Sequence, residues 1–285
     1  MSAVVAQAPP GVNAGAISIR EVGKSYGEGK GRVVALERCS FEIAPGEFRV
    51  IVGPSGCGKT TLLGAIAGFH PITEGEIRLD GELLCGPGVP QARPGGDRVV
   101  VFQHSTLFPW MTVLDNVTYG PVVQGRMTRD EARERARDQL AAAGLVGYED
   151  LYPGELSSGV ARRVEIVRAL VNEPRVLLLD EPFRGMDSIT KSVMQQGLLE
   201  LYDRSRVTVF FITHDIEEAV FLGSRVSVMS TRPGRVQATI DVDIPRPREV
   251  GVLTSPCFRE LVGQVSELVR DEARRAFEAG ERELA

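Results

Sequence analysis

Gly53-Pro54-Ser55-Gly56-Cys57-Gly58-Lys59-Thr60 is the stretch from which the architecture of this chain can be worked out. An apolar run, Phe48 to Val52, precedes it, and a run with helical character, Thr61 to Ala67, follows it and ends at Gly68. A strand, the pattern G-x-x-x-x-G-K-T and a helix, in this order, are typical of a phosphate-binding loop. The alternative is a glycine-rich turn that happens to end in Lys-Thr, and the flanking strand and helix disfavour it.

The loop predicts a site for a nucleoside triphosphate. Its glycines let backbone N–H groups wrap phosphate oxygens, and the N-terminus of the following helix adds partial positive charge. We expect Lys59 to reach the β- and γ-phosphates and the Thr60 hydroxyl to hold Mg²⁺. We expect the thiol of Cys57 to fill space rather than react. The candidate nucleotide-binding residues here are Gly53, Pro54, Ser55, Gly56, Cys57, Gly58, Lys59, Thr60 and Thr61.

Composition limits the class of protein. The chain has 285 residues, of which 43% are hydrophobic and 25% charged, as is ordinary for a globular protein of one large or two modest domains. Its net charge of −5 argues against a broad basic face for nucleic acid. No apolar run has the length of a membrane span, and Met1 to Gly15 lacks the pattern of a secretory signal. The four cysteines lie far apart, without metal-ligand or disulfide spacing, which fits a reducing cytoplasm.

Several apolar runs predict the strands of a parallel sheet. They are Arg98 to Phe102, Val176 to Leu179, Val207 to Ile212 and Arg225 to Met229. Runs that are apolar throughout need cover on both faces, as strands of a parallel sheet have. Helical segments alternate with them, so we predict an α/β fold.

Other patterns predict the remaining elements. Three short runs of β character come before the phosphate loop, and a hairpin with an Asp80-Gly81 turn follows its helix. Thr128 and Glu131 form a capping box that opens a helix through Ala143. A further helix is expected from about Gly159 to Leu170. After a linker, Pro245 to Pro256, apolar residues at helical spacing predict an amphipathic C-terminal helix.

Polar residues follow three of the predicted strands directly. Asp180 suits a second Mg²⁺ contact, made directly or through water, and Glu181 could orient or deprotonate the attacking water. Gln103 and His214 end neighbouring strands, so with Glu181 they would sense the γ-phosphate. A surface Asp-Glu-Pro turn and a structural histidine are the more common fates of such residues. Their position at strand ends around a phosphate loop favours catalysis.

These motifs, taken in order, resemble the ATP-binding subunits of ABC transporters from Ile17 to about Ile244. The matching positions are Tyr26 for the aromatic ring on adenine, Gln103 for the Q-loop that contacts Mg²⁺, Leu156 to Val160 for the signature motif, Asp180-Glu181-Pro182 for Walker B, Asp187 for the D-loop and His214 for the switch histidine. The resemblance implies a phosphate-loop NTPase (RecA-like) core with a parallel sheet, an antiparallel β subdomain and a helical signature subdomain.

The resemblance also implies a division of the chain. Residues 1–15 would be a flexible arm and residues 16–244 the ATPase domain, with the helical subdomain at about 104–170. Residues 245–285 would be the linker and C-terminal helix, whose role stays open between packing, a dimer contact and regulation.

The implied function is ATP-driven transport. ATP and Mg²⁺ would be the cofactors, and Ser157, Ser158 and Gly159 would contact the ATP held by a second copy in a head-to-tail dimer. The partners would be a separate permease, contacted through the Q-loop and Phe108 to Trp110, and an extracytoplasmic substrate-binding protein. The subunit would lie at the cytoplasmic face of the inner (plasma) membrane. Phe108 to Val117 and Ser230 to Arg235 resemble the branch that imports nitrate, sulfonates and taurine, so a small anionic solute is expected.

Three positions depart from the family pattern. Ser158 and Val160 replace the first glycine and the glutamine of the usual Leu-Ser-Gly-Gly-Gln, so we expect a working but slower site. Arg184 stands where the branch commonly has a small residue. We interpret it as solvated, with an acidic partner across a dimer interface as the alternative.

The sequence also argues against two other functions. Soluble ABC ATPases that act on nucleic acid or ribosomes tend to carry two ATPase units, coiled-coil insertions or basic extensions, none of which this sequence shows. A generic phosphate-loop kinase would not explain the signature-like stretch or the set of Gln103, Glu181 and His214. Recognition of the transported solute is expected to belong to partner chains.

Overall fold

The computed structural model describes residues 14–87, 89 and 93–278. The strands are β1 (Ile17–Tyr26), β2 (Val33–Ile43), β3 (Phe48–Val52), β4 (Glu74–Leu79), β5 (Glu82–Cys85), β6 (Arg98–Val101), β7 (Val176–Asp180), β8 (Thr208–Ile212), β9 (Arg225–Met229) and β10 (Val236–Asp241). The α-helices are α1 (Lys59–Ala67), α2 (Val113–Val123), α3 (Arg129–Ala142), α4 (Ser158–Leu170), α5 (Ser188–Ser205), α6 (Ile216–Leu222) and α7 (Pro256–Glu278). Short 3-10 helices span Gly29–Gly31, Pro153–Glu155 and Val250–Thr254.

A six-stranded sheet in the order β10-β9-β3-β8-β7-β6 forms the centre of the molecule. Adjacent strands from β9 to β6 pair in parallel, and β10 pairs antiparallel with β9 at the edge. Every residue of β3, β7 and β8 is buried, so both faces of the sheet are covered. The predicted parallel sheet is therefore confirmed.

Alternate side chains of the central strands enter two different cores. Val50 of β3 belongs to a cluster with residues of α5, α6 and α7, while its neighbour Ile51 belongs to a cluster with α1 and the second sheet. Burying one such aliphatic side chain contributes about 1.5–3 kcal/mol, which fixes the register of each strand. This packing holds the carboxyl ends of β3, β7 and β8 at one edge, where the polar residues of interest follow.

The second sheet is antiparallel and has the order β2-β1-β4-β5. Its apolar face, which includes Ile19 and Ile77, packs in the cluster that contains α1. The predicted arm, residues 1–15, lies outside the described residues except for its end. There, Gly15 and Ala16 donate their backbone N–H groups to the Asp80 carboxylate, at 2.7 and 2.8 Å. The chain is thus tied to the β4–β5 turn from Gly15 onward.

Helices α2, α3 and α4 enclose a third hydrophobic cluster, with Val117, Leu140 and Val164 fully buried. The predicted capping box is present, because Thr128 accepts from the Glu131 backbone and Glu131 accepts from the Thr128 backbone. The helical unit lies within the predicted range of about 104–170, and the exact domain boundaries stay a prediction.

The segment predicted as a linker, Pro245 to Pro256, is anchored to the domain. The Arg248 guanidinium, which is buried, donates to backbone carbonyl groups of Val220, Phe221, Gly223, Val242 and Ile244. Burial lowers the pKa of Arg248 to about 10. The residue caps the C-terminal end of α6, where a cation is favoured. Helix α7 then packs on α6 and β9, with Phe258 and Val265 buried.

Candidate functional site

The phosphate loop connects the buried strand β3 to helix α1. Lys59 is the first residue of α1, and its ammonium group donates to the carbonyl oxygens of Gly53 and Pro54, both at 2.9 Å. No side chain caps the N-terminus of α1 within the described residues. Its first backbone N–H groups are therefore left for another acceptor, as in a phosphate-binding helix.

The backbone of the loop depends on glycine at its last turn. Gly58 has φ of +97°, and a Cβ there would lie 2.7 Å from Leu36 Cδ2 and 2.8 Å from the Ala35 carbonyl oxygen. Any other residue would strain the backbone and clash with β2. Cys57 lies under the loop with 1% of its surface exposed, and burial raises the pKa of its thiol. This fits the interpretation that Cys57 fills space.

The loop opens onto a cleft of about 640 Å³. Its lining residues come from both sheets, the loop and the strand ends: Tyr26, Val33, Ala35, Ser55, Gly56, Gly58, Lys59, Thr60, Thr61, Gln103, Asp180, Glu181, Arg184 and Arg232. The structure thus brings together most of the predicted nucleotide-binding and catalytic residues. Tyr26 ends β1 with 43% of its surface exposed, so its ring is accessible at the rim.

Thr60 and Asp180 meet at the floor of the cleft. The Thr60 hydroxyl donates to the Asp180 carboxylate at 3.4 Å. Burial raises the pKa of Asp180, and the hydrogen bond from Thr60 opposes this shift. A hydroxyl and a carboxylate, with phosphate oxygens and water completing the shell, are the ligands that Mg²⁺ prefers. The residues present therefore fit Mg²⁺, whose charge would offset the cost of the buried carboxylate.

Glu181 has an unusual backbone and two basic neighbours. Its φ is +43°, a left-handed conformation that costs a residue with a side chain about 1–3 kcal/mol and is common at functional sites. One carboxylate oxygen lies 3.3 Å from His214 Nδ1 and 3.2 Å from Arg184 Nη1. Arg184 is solvated, as expected, with 55% of its side chain exposed, and the turn after β7 also brings its guanidinium onto Glu181 of the same chain. The acidic partner therefore lies in the same chain, and no dimer interface is needed for the pairing.

The three signature residues lie away from this cleft. Ser157 caps α4 by accepting from the backbone N–H of Val160, and Ser158, the first residue of α4, is exposed. A Cβ on Gly159 would lie 2.9 Å from the Thr190 side chain, so α4 approaches α5 closely there. These three residues are absent from the lining of the cleft of their own chain.

Helix α4 holds the segment after β6 that contains Gln103. The Arg162 guanidinium donates to the carbonyl oxygens of Phe102 and Gln103. Its buried partner Glu165, at 2.7 Å, also accepts from the Thr106 backbone N–H. Sequence reasoning missed these contacts. The available signal was the placement of charged residues at positions that helical periodicity would bury.

Aromatic side chains surround the Gln103 segment on the surface. Trp110 has 70% of its surface exposed and lies 5.6 Å from Phe108, ring centre to ring centre. Phe69 and Phe102, both partly exposed, stack with their centres 5.7 Å apart. Exposed apolar patches are characteristic of interaction sites. None of the helices in the described residues is long and apolar enough to cross a membrane.

A larger cavity of about 840 Å³ lies between α3, α5 and the start of β7. It contains none of the predicted site residues, and several of its arginines are neutralised locally. Arg135 pairs with Glu173, and Arg175 pairs with Asp80. The chemistry therefore favours the smaller cleft as the functional site.

The sequence of this chain is similar to those of a known family of proteins. Residues 36–184 match the family described as ABC transporter. The taurine import ATP-binding protein TauB from Rhizobium johnstonii is 48% identical over 237 residues, 81% of this chain and 87% of the relative. The nitrate import ATP-binding protein NrtD from Synechocystis sp. is 39% identical over 269 residues, 92% of this chain and 98% of the relative.

Solved structures agree on the fold. The dimeric structure of a post-hydrolysis state of the ATP-binding cassette MJ0796, bound to ADP and Pi, has a TM-score of 0.66 at 31% identity. The likeness covers 80% of this chain and all of the other. The predicted α/β phosphate-loop NTPase fold is confirmed.

Proposed function

Because the chain belongs to the ABC transporter family, we propose that it is the ATP-hydrolysing subunit of an importer that carries a small anion through a separate permease. The chain is an ABC ATPase. The proposal adds the roles of individual residues, the partners and the solute. The observation that carries it is the convergence of Lys59, Thr60, Asp180 and Glu181 on one cleft.

ATP would lie along the phosphate loop. The ammonium of Lys59 and the backbone N–H groups at the start of α1 would hold the phosphates, while the Tyr26 ring would stack on adenine. Thr60 and Asp180, with Gln103 nearby, would hold Mg²⁺, which neutralises the charge that develops on the phosphates during transfer.

Glu181 would act on the attacking water. Its backbone N–H donates to the Ile212 carbonyl oxygen at 3.0 Å, which fixes the residue at the end of β7, and its carboxylate contacts Arg184 and His214. From there it can orient the water or accept its proton. His214, in contact with the same carboxylate, would help to hold it and would report the γ-phosphate to the neighbouring strand.

Two copies would enclose two ATP molecules. Ser157, Ser158 and Gly159 lie outside the cleft of their own chain, which supports a role at the cleft of a partner copy. The MJ0796 cassette with ADP and Pi is dimeric, which agrees with such an arrangement. A head-to-tail pair is two-fold symmetric, so each copy supplies the same two surfaces.

The transported solute and the further partners follow from the relatives. The named relatives import taurine, which carries a sulfonate group, and nitrate, so a small solute with an anionic group is the class we propose. The permease would dock on the aromatic surface around Phe108 and Trp110, next to the Gln103 segment. An extracytoplasmic protein would deliver the solute, and the ATPase would sit at the cytoplasmic face of the membrane.

The experiment starts with the purified chain and Mg-ATP. Lys59→Ala should lose ATP binding and hydrolysis, because it removes the main charge on the β- and γ-phosphates. Arg235→Gln, which removes only a surface pair with Glu37, is the matched control. Normal hydrolysis by Lys59→Ala would overturn the site assignment.

The transport part needs the co-expressed permease in liposomes. Taurine or nitrate outside, with the capture protein, should stimulate hydrolysis inside, whereas a solute of similar size without an anionic group should not. Equal rates with all solutes would refute the proposed anion importer while leaving the ATPase intact.

A further inference from the structure

Arg232 is a cation on the cleft that sequence reasoning did not assign. It follows β9, in the loop that leads to β10, and its Nε donates to the carbonyl oxygen of Gly56 in the phosphate loop at 3.1 Å. The other cationic arginine of the cleft, Arg184, is neutralised by Glu181. Arg232 has no carboxylate within 4.0 Å in the part of the chain that the structure describes.

The loop that carries Arg232 is held by contacts that do not involve the Arg232 side chain. Ser230 and Arg235 close it, because the Ser230 backbone N–H donates to the Arg235 carbonyl at 2.8 Å. Gly234 joins it to β2 by donating to the Ala35 carbonyl at 2.9 Å. A Cβ on Gly234 would lie only 2.0 Å from the carbonyl oxygen of Cys57. The loop between β9 and β10 is therefore packed closely against the phosphate loop, and the Arg232 side chain is not needed to hold it there.

Helix α7 fixes the same loop from the other side. Glu272 has 5% of its surface exposed, and its carboxylate accepts from the Thr231 backbone N–H at 3.2 Å. The second carboxylate oxygen accepts from Arg275 at 2.6 Å. A buried carboxylate is costly unless it is paired and hydrogen-bonded, so this contact is specific. It joins the C-terminal helix to the residue that precedes Arg232.

We propose that Arg232 binds the phosphates of the nucleotide and that the C-terminal helix positions it through Glu272. The inference rests on the proposed function of the cleft. With Nε held by Gly56, the two terminal amino groups of the guanidinium are left to donate, in the fork geometry that suits phosphate oxygens. The position is set before the nucleotide arrives, so little side-chain entropy is lost on binding.

The first test measures ATP affinity by calorimetry, with Mg²⁺, for Arg232→Gln and the neighbouring control Arg235→Gln. Hydrogen bonds to charged groups contribute enough that we expect roughly tenfold weaker binding for Arg232→Gln. The difference should shrink at high salt, because screening weakens a contact between exposed charges. Equal affinity of the two variants would refute the role of Arg232.

The second test addresses the helix. Glu272→Ala should raise the KM for ATP several-fold with kcat little changed, since it lets Arg232 drift without touching Glu181. Glu272→Gln keeps an acceptor for Thr231 and should restore the parental KM. Asp271→Asn, on the exposed face of the same helix, is the control. An unchanged KM in Glu272→Ala would overturn the positioning role.

The double variant separates positioning from general stability. If Glu272 acts through Arg232, Glu272→Ala should add nothing to the KM of Arg232→Gln. Additive effects would mean that α7 supports the fold only and would refute the link. Failure of the parent protein to bind ATP would instead refute the proposed function, so the two failures are distinguishable.

Discussion

Arg184 and Glu181 form an ion pair at the mouth of the cleft, with Nη1 of the arginine 3.2 Å from Oε2 of the glutamate. The pair competes with a water molecule for the carboxylate that we assign as the base. It is also exposed on the arginine side, where 55% of the side chain is accessible, so it contributes little energy.

Arg184→Ser is therefore expected to raise kcat by about two- to fivefold at low salt, because an exposed pair of this kind is worth up to about 1 kcal/mol. The parental rate should rise towards that of the variant as salt screens the pair. Steady-state ATPase assays across a salt series measure this, with Arg235→Ser as control. A lower kcat in Arg184→Ser would show that the arginine assists hydrolysis.

Glu181→Gln should separate binding from hydrolysis. The amide keeps the size of the side chain but cannot accept a proton, and loss of a positioned base typically costs a factor of about 10² to 10⁴ in rate. The contacts of Lys59 and Thr60 are untouched, so ATP should bind and the protein should accumulate as an ATP-dependent dimer in light scattering. Glu200→Gln, on the exposed face of α5, is the control.

Two results for Glu181→Gln would contradict parts of this prediction. Parental hydrolysis by Glu181→Gln would mean that another group is the base. Loss of hydrolysis without a dimer would keep the base assignment and point to Ser158, whose side chain replaces the usual glycine at the signature motif.

Asp180 gives a prediction about stability and pH. Burial raises the pKa of Asp180, so the folded state holds this proton more tightly than the unfolded state. Protonated Asp180 contributes its full stabilisation at a pH below the ordinary pKa of the unfolded chain. This stabilisation is lost as the pH rises through the raised pKa of the folded state. At neutral pH the charged carboxylate therefore destabilises the protein without nucleotide or metal.

Asp180→Asn should consequently raise the melting temperature at neutral pH, in chelator and without nucleotide. The gain should vanish in acid, where the parent is protonated as well, and Mg²⁺-dependent hydrolysis should be lost. Thermal melts at several pH values measure the first part. A variant that melts below the parent at neutral pH would contradict the argument.

Trp110→Ala should leave the isolated subunit intact and impair its work with the permease. The side chain is 70% exposed, so its removal should change stability by no more than about 0.5 kcal/mol. A large aromatic side chain at an interface often dominates binding, so co-purification with the permease should fall. Thermal melts and ATP titrations should match the parent; a marked drop in melting temperature would mean that Trp110 supports the fold instead.

The parts of the fold that sequence predicts are those with a local pattern. The phosphate loop, the buried strands β7 and β8 and the capping box at Thr128 each follow from a few adjacent residues. Helix α2 was missed because Gly120 and Pro121 lower its helical propensity, and burial of Val113 and Val117 compensates. Strand β10 was missed because it is a half-exposed edge strand.

The site, like the fold, has parts that follow from a local sequence pattern and parts that do not. Glu181 and Asp180 follow from their strand, whereas the contact of Arg232 with Gly56 joins residues 176 positions apart. The bond from Thr231 to Glu272 spans 41 positions. Contacts of this kind depend on how distant elements pack, which a single sequence does not encode in any local pattern.

Because Cys57 is buried beneath the phosphate loop, the rate at which its thiol is labelled should measure how often the loop opens. A thiol that is covered and has a raised pKa reacts with a maleimide only while the loop is open, whereas the exposed Cys257 reacts at once. Cys39 and Cys85 are buried, with thiol pKa values raised to about 11, and should stay silent. The slow phase of labelling, assigned to Cys57, therefore reports the opening rate of the phosphate loop. If bound ATP slows this phase, the labelling rate measures nucleotide occupancy without an engineered probe.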